Sequence, residues 1–450
     1  MSQPNDTTRE IRPAKVAFAS AVGTSIEWYD FHIFNTAASL AFASVFFPAI
    51  SDTAGMLAAF ATFGVAFGAR PIGGIVFGHF GDRIGRKKML VLSLLLMGIG
   101  TFLVGVLPSH ASIGIWAAVL LVLLRFVQGF AVGGEWGGAV LMASEYAPKE
   151  KRGFYASWPQ AGAPLGLFLA SAIYFLLTKT LTDAQFISWG WRIPFILSAT
   201  LVMVGLYIRL TVLESPAFRA VQKSETVSRL PIVEVLRTHP KEILIGIGST
   251  CGVNIPFYVA AVVGLSYAPE AAGVTRETVL LCMLTASFIE IFTIPYFSAI
   301  SDRVGRRPVL MAGFGMGIII APAFFWLINW GSFAGVFLAY VLAMPILHGI
   351  TYSAQASFLA ELFETRLRYS GSSFAYQIGG MLTSGPAPFI AAALLAWTGS
   401  AGSISVYVIA SVVISMVAVF FARESFRDET HQDRKSATLA GHPEQHATAD

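Results

Sequence analysis

Twelve apolar runs, each long enough to cross a bilayer, limit what this chain can become more than any other feature. They fall at about 16–46, 54–80, 88–107, 113–144, 153–178, 189–212, 242–267, 277–300, 309–329, 333–360, 369–397 and 402–422. A helix needs roughly 20 apolar residues to span the hydrocarbon core. Within lipid, only helices and closed barrels leave no backbone group unsatisfied. These runs are continuous rather than alternating, which excludes a barrel. Charged residues make up 12% of the chain and hydrophobic residues 55%, whereas a soluble domain is about 25% charged. The expected fold is an all-α membrane protein with twelve transmembrane helices. Several runs exceed the crossing length, which predicts tilt, kinks or ends that project from the bilayer.

Basic residues set the orientation. With the N-terminus placed inside, 25 of the 30 Lys and Arg residues fall in segments that face the cytoplasm. The outer side receives Lys179, Arg192 and Arg276, while Arg70 and Arg125 stay within apolar runs. Such asymmetry predicts a multi-pass protein of a bacterial-type inner membrane with both termini cytoplasmic. It also accounts for the net charge of +4 without invoking nucleic acid. The two cysteines, Cys251 and Cys282, lie in apolar segments without metal-ligand spacing, so neither a metal site nor a disulfide framework is expected. Residues 1–15 are polar and basic, and the first apolar run is too long for a signal-peptide core, so no cleaved leader is expected.

The break at 213–241 separates six runs from six. The expected layout is a cytoplasmic N-terminus (1–15), a six-helix bundle (16–212), a cytoplasmic linker (213–241), a second six-helix bundle (242–422) and a polar tail (423–450) whose composition predicts disorder. An internal repeat supports the division. "GDRIGRKK" (81–88) follows the second run and "SDRVGRRP" (301–308) follows the eighth, with Asp82 and Asp302 220 positions apart. "EYAPKEKR" (145–152) and "ELFETRLR" (361–368) both place Glu seven residues before Arg, 216 positions apart. Two elements in the same order at nearly the same offset indicate a duplicated six-helix unit, an arrangement found among transporters. The bundles are therefore expected to be pseudo-symmetric.

"GDRIGRKK" lacks the Gly-x4-Gly-Lys-Ser/Thr spacing of a phosphate loop. Its glycines allow a sharp turn, and Asp82, Arg83 and Arg86 are placed to pair with charges or helix ends. Glu145 is the expected partner in the first half, and Glu361 the expected partner of Asp302, Arg303 and Arg306 in the second. Two readings compete: these clusters lock an inner gate in one state, or they only set topology.

Charges inside the runs need a reason, because a charge at bilayer depth costs from about 3 to more than 10 kcal/mol. In "GTSIEWYDFHIF" (23–34), Glu27 and Asp30 share one helix face. Arg70 precedes Pro71 in the second run, and Arg125, Gln128 and Glu135 form a polar stripe on the fourth. A static set of buried ion pairs is one account. A water-lined cavity with functional charges is the better one, because desolvation often outweighs a buried pair's attraction. The second half offers Asn254, Tyr258, Glu290, His348, Gln355 and Gln377, with Asn254 near a predicted kink at Pro256. His348 alone reads as structural, whereas Glu290 would be costly unpaired. No nucleophile–base constellation appears, so chemistry on a substrate is not expected.

The repeated loops, the six-plus-six layout and "RFVQG" (125–129) resemble the major facilitator superfamily. "GTSIEWYDF", "FGARPIGGIVFGHFGDRIGRKK", "GGEWGGA" and "LESPAF" narrow the resemblance to its metabolite:proton symporter family, over about residues 16–425. The resemblance implies the major facilitator fold and uptake of a small metabolite with a proton by alternating access, without a cofactor and as a monomer. "SWPQAGAPLGL" and "WGWRIPF" are most similar to its organic-acid branch, including shikimate-type carriers. One departure is Glu364, where family members often have proline in "LFPTR". On this reading Asp30, assisted by Glu27 or Glu135, carries the proton. Arg70 and Arg125 hold a substrate carboxylate, or pair with the acidic residues when none is bound. Tyr29, Gln128, Asn254, Tyr258 and Gln377 are further candidate contacts. Two alternatives stay open: uptake of a zwitterionic osmolyte such as proline or betaine, and a non-transporting sensor on the same fold.

Overall fold

The computed structural model describes residues 13–48, 51–84, 86–133, 147–148, 151–211, 231–364 and 367–422. Every regular element among them is helical. Twelve long helices follow the apolar runs. Helix α1 covers 13–46 and contains a π-helical turn at Ala38–Phe42. It is followed by α2 (Asp52–Ile84), α3 (Arg86–Val106), α4 (Trp116–Val132), α5 (Arg152–Thr180) and α6 (Ile193–Thr211). The second set is α7 (Pro240–Ala272), α8 (Arg276–Val304), α9 (Arg306–Ile328) and α10 (Phe333–Glu361), then α11 (Arg368–Thr383 with Ala387–Thr398) and α12 (Ala401–Phe420). Nine of the described helices are by themselves long and apolar enough to cross a membrane. The expected fourth run reaches residue 144, but α4 is described only to Val132, so Glu135 and Trp136 lie outside the described residues.

Local sequence explains where the helices bend and end. Thr275 and Ser400 accept backbone N–H groups of Thr278 and Gly402, capping α8 and α12. Pro256 falls three residues before the π-turn Val259–Val263 of α7, and Pro345 lies inside the π-turn Leu342–His348 of α10. Proline removes a backbone donor, and the wider turn absorbs the mismatch. The π-turns of α1 and α7 occupy equivalent places in the two halves, as the repeat requires.

Packing follows the repeat. In the first half α1 packs on α5 and α6, α2 on α4, and α3 on α4 and α6. A shift of six reproduces each pair: α7 with α11 and α12, α8 with α10, and α9 with α10 and α12. The seam between halves obeys the same rule, with α5 against α8 and α11 against α2. These two pseudo-symmetric six-helix bundles constitute the major facilitator fold. The closest helix approach within a half relies on glycine. A Cβ on Gly129 or Gly133 of α4 would run into the carbonyls of Ala66 or Arg70 on α2. Large apolar side chains such as Phe292, Tyr296, Trp326 and Phe420 remain exposed on outer faces, as lipid-facing surfaces require.

Candidate functional site

The polar side chains of the first half form a chain that runs inward from α4. Arg125 and Gln128 lie three apart on α4 and so share a face. Arg125 Nη1 donates to Gln128 Oε1 at 3.2 Å, and Gln128 Nε2 donates to Thr101 Oγ1 of α3 at 2.9 Å. Thr101 Oγ1 in turn lies 3.1 Å from Asp30 Oδ2 of α1, to which it donates. Arg125 and Asp30 are thus joined through two neutral side chains. Both are buried, at 0% and 2% exposure. The Arg125 guanidinium lies 3.9 Å from the Phe34 ring centroid and 4.3 Å from that of Phe31. Arg70 lies 4.2 Å from Phe31 and 4.2 Å from Phe67, so the two guanidinium groups share one aromatic ring. Glu27 is buried one turn from Asp30.

A small cavity sits where the halves meet. Trp28, Arg70, Asn254, Tyr258, His348 and Tyr376 are among its lining residues, drawn from α1, α2, α7, α10 and α11. It leaves about 10 Å³ for the centres of water-sized spheres, roughly the room of one water molecule. Cross-half contacts tie the two bundles together on either side of it. On one side Ser39 Oγ of α1 donates to the Val262 carbonyl of α7 at 3.2 Å, joining the two π-turns. At the other end Asp302 of α8 accepts from the backbone N–H groups of Gly153 and Phe154 at the start of α5, at 3.0 and 2.8 Å. Arg306 Nη1 pairs with Asp302 at 2.7 Å and its Nε with Glu361 at 3.1 Å. This end carries the repeated basic loops.

The structure separates the candidate residues into layers. Arg70, Asn254 and Tyr258 line the cavity, while Asp30, Arg125 and Gln128 form the network behind it. Asn254 Nδ2 donates to Thr383 Oγ1 of α11 at 3.0 Å. Gln377 Nε2 donates to the Gly133 carbonyl at 2.9 Å, tying α11 to the end of α4. Tyr29 is not a lining residue. Its hydroxyl donates to the Pro194 carbonyl at 3.0 Å and so fastens α1 to α6. Of the expected cluster, Arg306 pairs with both Asp302 and Glu361, and the Arg303 side chain is exposed. Side chains of Asp82, Arg83, Arg86, Glu135 and Glu145 lie outside the described residues.

Three features escaped sequence reasoning. Thr101 joins the two charged groups, yet it is one threonine in an apolar run. Asp302 caps a helix of the opposite half. His348 does not stand alone, because its Nδ1 is hydrogen-bonded to Glu290 Oε1. Both had been singled out separately, but their pairing across α8 and α10 has no sequence signal.

Known proteins share this organisation. A family model described as "Sugar (and other) transporter" matches residues 16–234. The shikimate transporter of Escherichia coli (strain K12) is 40% identical over 430 residues, covering 95% of this chain and 98% of that protein. The proline/betaine transporter of the same organism is 33% identical over 421 residues, covering 91% of this chain and 83% of that protein. A crystal structure of a D-xylose–proton symporter superposes with a TM-score of 0.69 at 20% identity, covering 92% of this chain and 99% of that one. Together with the duplicated bundle, these likenesses establish that the chain belongs to the major facilitator superfamily and, within it, to the metabolite:proton symporter family.

Proposed function

We propose that this protein imports a small organic acid together with protons across a bacterial inner membrane, with both termini in the cytoplasm, and that it works as a monomer. The observation that carries this reading is Arg70. Among the described residues it supplies the guanidinium that lines the cavity, where weak screening strengthens its pull on an anion. A guanidinium offers a planar fork matched to carboxylate oxygens. Asn254, Tyr258, Tyr376 and Ser384 line the same cavity and offer hydrogen-bonding groups for a hydroxylated ring or a second carboxylate. The greater identity to a shikimate transporter than to a proline/betaine transporter points the same way. Asp30, behind the wall, is the proposed proton carrier, and Arg125 couples to it through Gln128 and Thr101. The clusters at Asp302 and, by the repeat, at Asp82 serve as the inner gate.

A second reading has its own support. Trp28, Phe67, Phe257, Tyr258, Tyr352 and Tyr376 all line the cavity, and aromatic faces suit a quaternary ammonium group. That favours a betaine. Counterflow in proteoliposomes, with shikimate, succinate, proline and glycine betaine side by side, separates the two. The organic-acid reading expects shikimate or succinate to exchange at least about tenfold faster than the zwitterions. It also expects Arg70→Lys to weaken acid binding at least about tenfold, as the loss of one bidentate pair would. Faster betaine exchange, or wild-type acid affinity in Arg70→Lys, overturns it.

A further inference from the structure

We propose that Glu290 and His348 form a second proton-holding pair, in the half opposite Asp30, and that the closed cavity requires the proton they share.

Glu290 of α8 is fully buried, and His348 of α10 is 4% exposed. The imidazole Nδ1 is hydrogen-bonded to Glu290 Oε1, while Oε2 has no hydrogen-bond partner. The ring is held between Phe257, at 4.3 Å between centroids, and Tyr352, at 4.7 Å, and it lines the central cavity. With one proton between them the two groups are neutral as a unit, whether written as imidazolium and carboxylate or as imidazole and carboxylic acid. Removing that proton leaves a carboxylate with a single neutral donor, fully buried from bulk solvent. A closed bundle cannot solvate such a charge.

Opening the cavity changes this. Water then reaches the imidazole, which can pass the proton out and leave the charged carboxylate in contact with solvent. The proton enters from water on one side, is held by the pair during closure and leaves to water on the other. No bond other than the one to the proton changes. A static clip between α8 and α10 would instead keep its proton in every state. The other ionisable groups facing this region are His32 and Glu27 from α1, Arg70 from α2, Tyr258 from α7, Tyr352 from α10 and Tyr376 from α11. His32 stacks on Trp28 and meets Phe257 edge-on, so Phe257 touches both imidazoles. Ala163 is the α5 residue in the lining.

Distances between spin labels, measured on the full chain in lipid nanodiscs, test the proposal without any substrate. Cysteine pairs replace Lys151 and Arg303 across one end, and Ser51 and Arg276 across the other; all four are exposed. The background carries Cys251→Ser, Cys282→Ser and Asp30→Asn, which removes the other proposed carrier. The closed population in this parent is expected to fall about tenfold per pH unit once the shared proton is lost, as for a single linked proton. Adding Glu290→Gln should keep the closed population constant over the same range, because a neutral amide never demands the proton. Adding His348→Asn instead should cut the closed population at least about tenfold at neutral pH, and it supplies the reading should Glu290→Gln fail to fold. A parent without pH response overturns the proposal, as does a variant that tracks the parent.

Discussion

Asp30 and Arg125 show how a membrane-buried charge is kept without a direct ionic partner among the described residues. Arg125 lies against three phenylalanine rings, Phe31, Phe34 and Phe63, each worth about 0.5–2 kcal/mol as a cation–π contact. Its hydrogen bond to Gln128 adds about 1.5–3 kcal/mol, as for bonds to charged groups. These gains do not cover the upper range of the cost of burying an arginine in lipid, so the site retains an unmet preference for negative charge. Asp30 has the converse condition: Oδ2 is met by Thr101, and Oδ1 has no hydrogen-bond partner. A group so placed changes protonation when water gains or loses access. Asp30→Asn is therefore expected to abolish accumulation driven by an imposed pH gradient while preserving at least about half of counterflow exchange. The shape is conserved, and the amide oxygen still accepts from Thr101, so unfolding should shift by only a few degrees. Accumulation by Asp30→Asn under a pH gradient would remove Asp30 from the coupling role. The charges themselves were legible in the sequence because lipid makes every ionic residue conspicuous. Thr101 was not, since a threonine in a membrane helix can satisfy itself on its own turn. Its hydroxyl does lie 3.0 Å from the Met97 carbonyl, and nothing in the chain's pattern announces the second partner.

At the scale of elements, the instructive contact is a carboxylate on a helix end. The first turn of α5 presents unpaired N–H groups and the positive end of its dipole. Asp302 meets Gly153 and Phe154 there, from the other half of the molecule. Gly153 permits the approach, because a Cβ at that position would collide with the Asp302 carboxylate. The sequence marked Asp302 as a gate residue but sought its partner among charges, whereas half of the contact is backbone and leaves no trace in a charge pattern. Asp302→Asn removes the charge and leaves one acceptor for the two N–H groups of Gly153 and Phe154. Loss of a charge–dipole contact of about 1–2 kcal/mol would raise the population open at this end roughly 5- to 30-fold. Spin labels on Lys151 and Arg303 would read the change as a longer distance. An unaltered distance distribution in a folded variant would leave the cluster with a topological role only.

At the scale of the whole molecule, the duplicated pattern in the sequence already implied two bundles of six. What it could not give was the state of the cavity between them. That state depends on contacts far apart in sequence, such as Gln160 with Tyr352 and Gln377 with Gly133, 192 and 244 residues apart. With room for about one water, the described cavity cannot hold a shikimate-sized acid without widening, so transport requires the halves to separate at one end or the other. The α2–α11 seam is where that separation can be biased without touching any charged group. Gly64 and Gly385 face each other there, and a Cβ on Gly385 would lie 3.4 Å from the Gly64 Cα and 3.0 Å from the Phe67 Cβ. A branched side chain does not fit this gap while the seam is shut. Overpacking of this kind costs about 1–3 kcal/mol; the part that falls on Gly64 and Phe67 is relieved when the seam opens, while the 3.3 Å approach to the Met381 carbonyl on the same segment is not. Gly385→Val should therefore lower the closed population roughly 5- to 100-fold, since each 1.4 kcal/mol is a factor of ten. Helices α2 and α11 pack on each other, so the valine acts as a wedge whose effect should appear as increased distance across the Ser51–Arg276 pair, the end that carries Lys151 and Arg303 being held by Asp302. Increased separation at the Lys151 end instead would mean that the seam hinges in the opposite sense. No change at either end would mean that the bundles reach the closed state without the α2–α11 contact, and the rocking of rigid halves would then be the wrong description of this transporter.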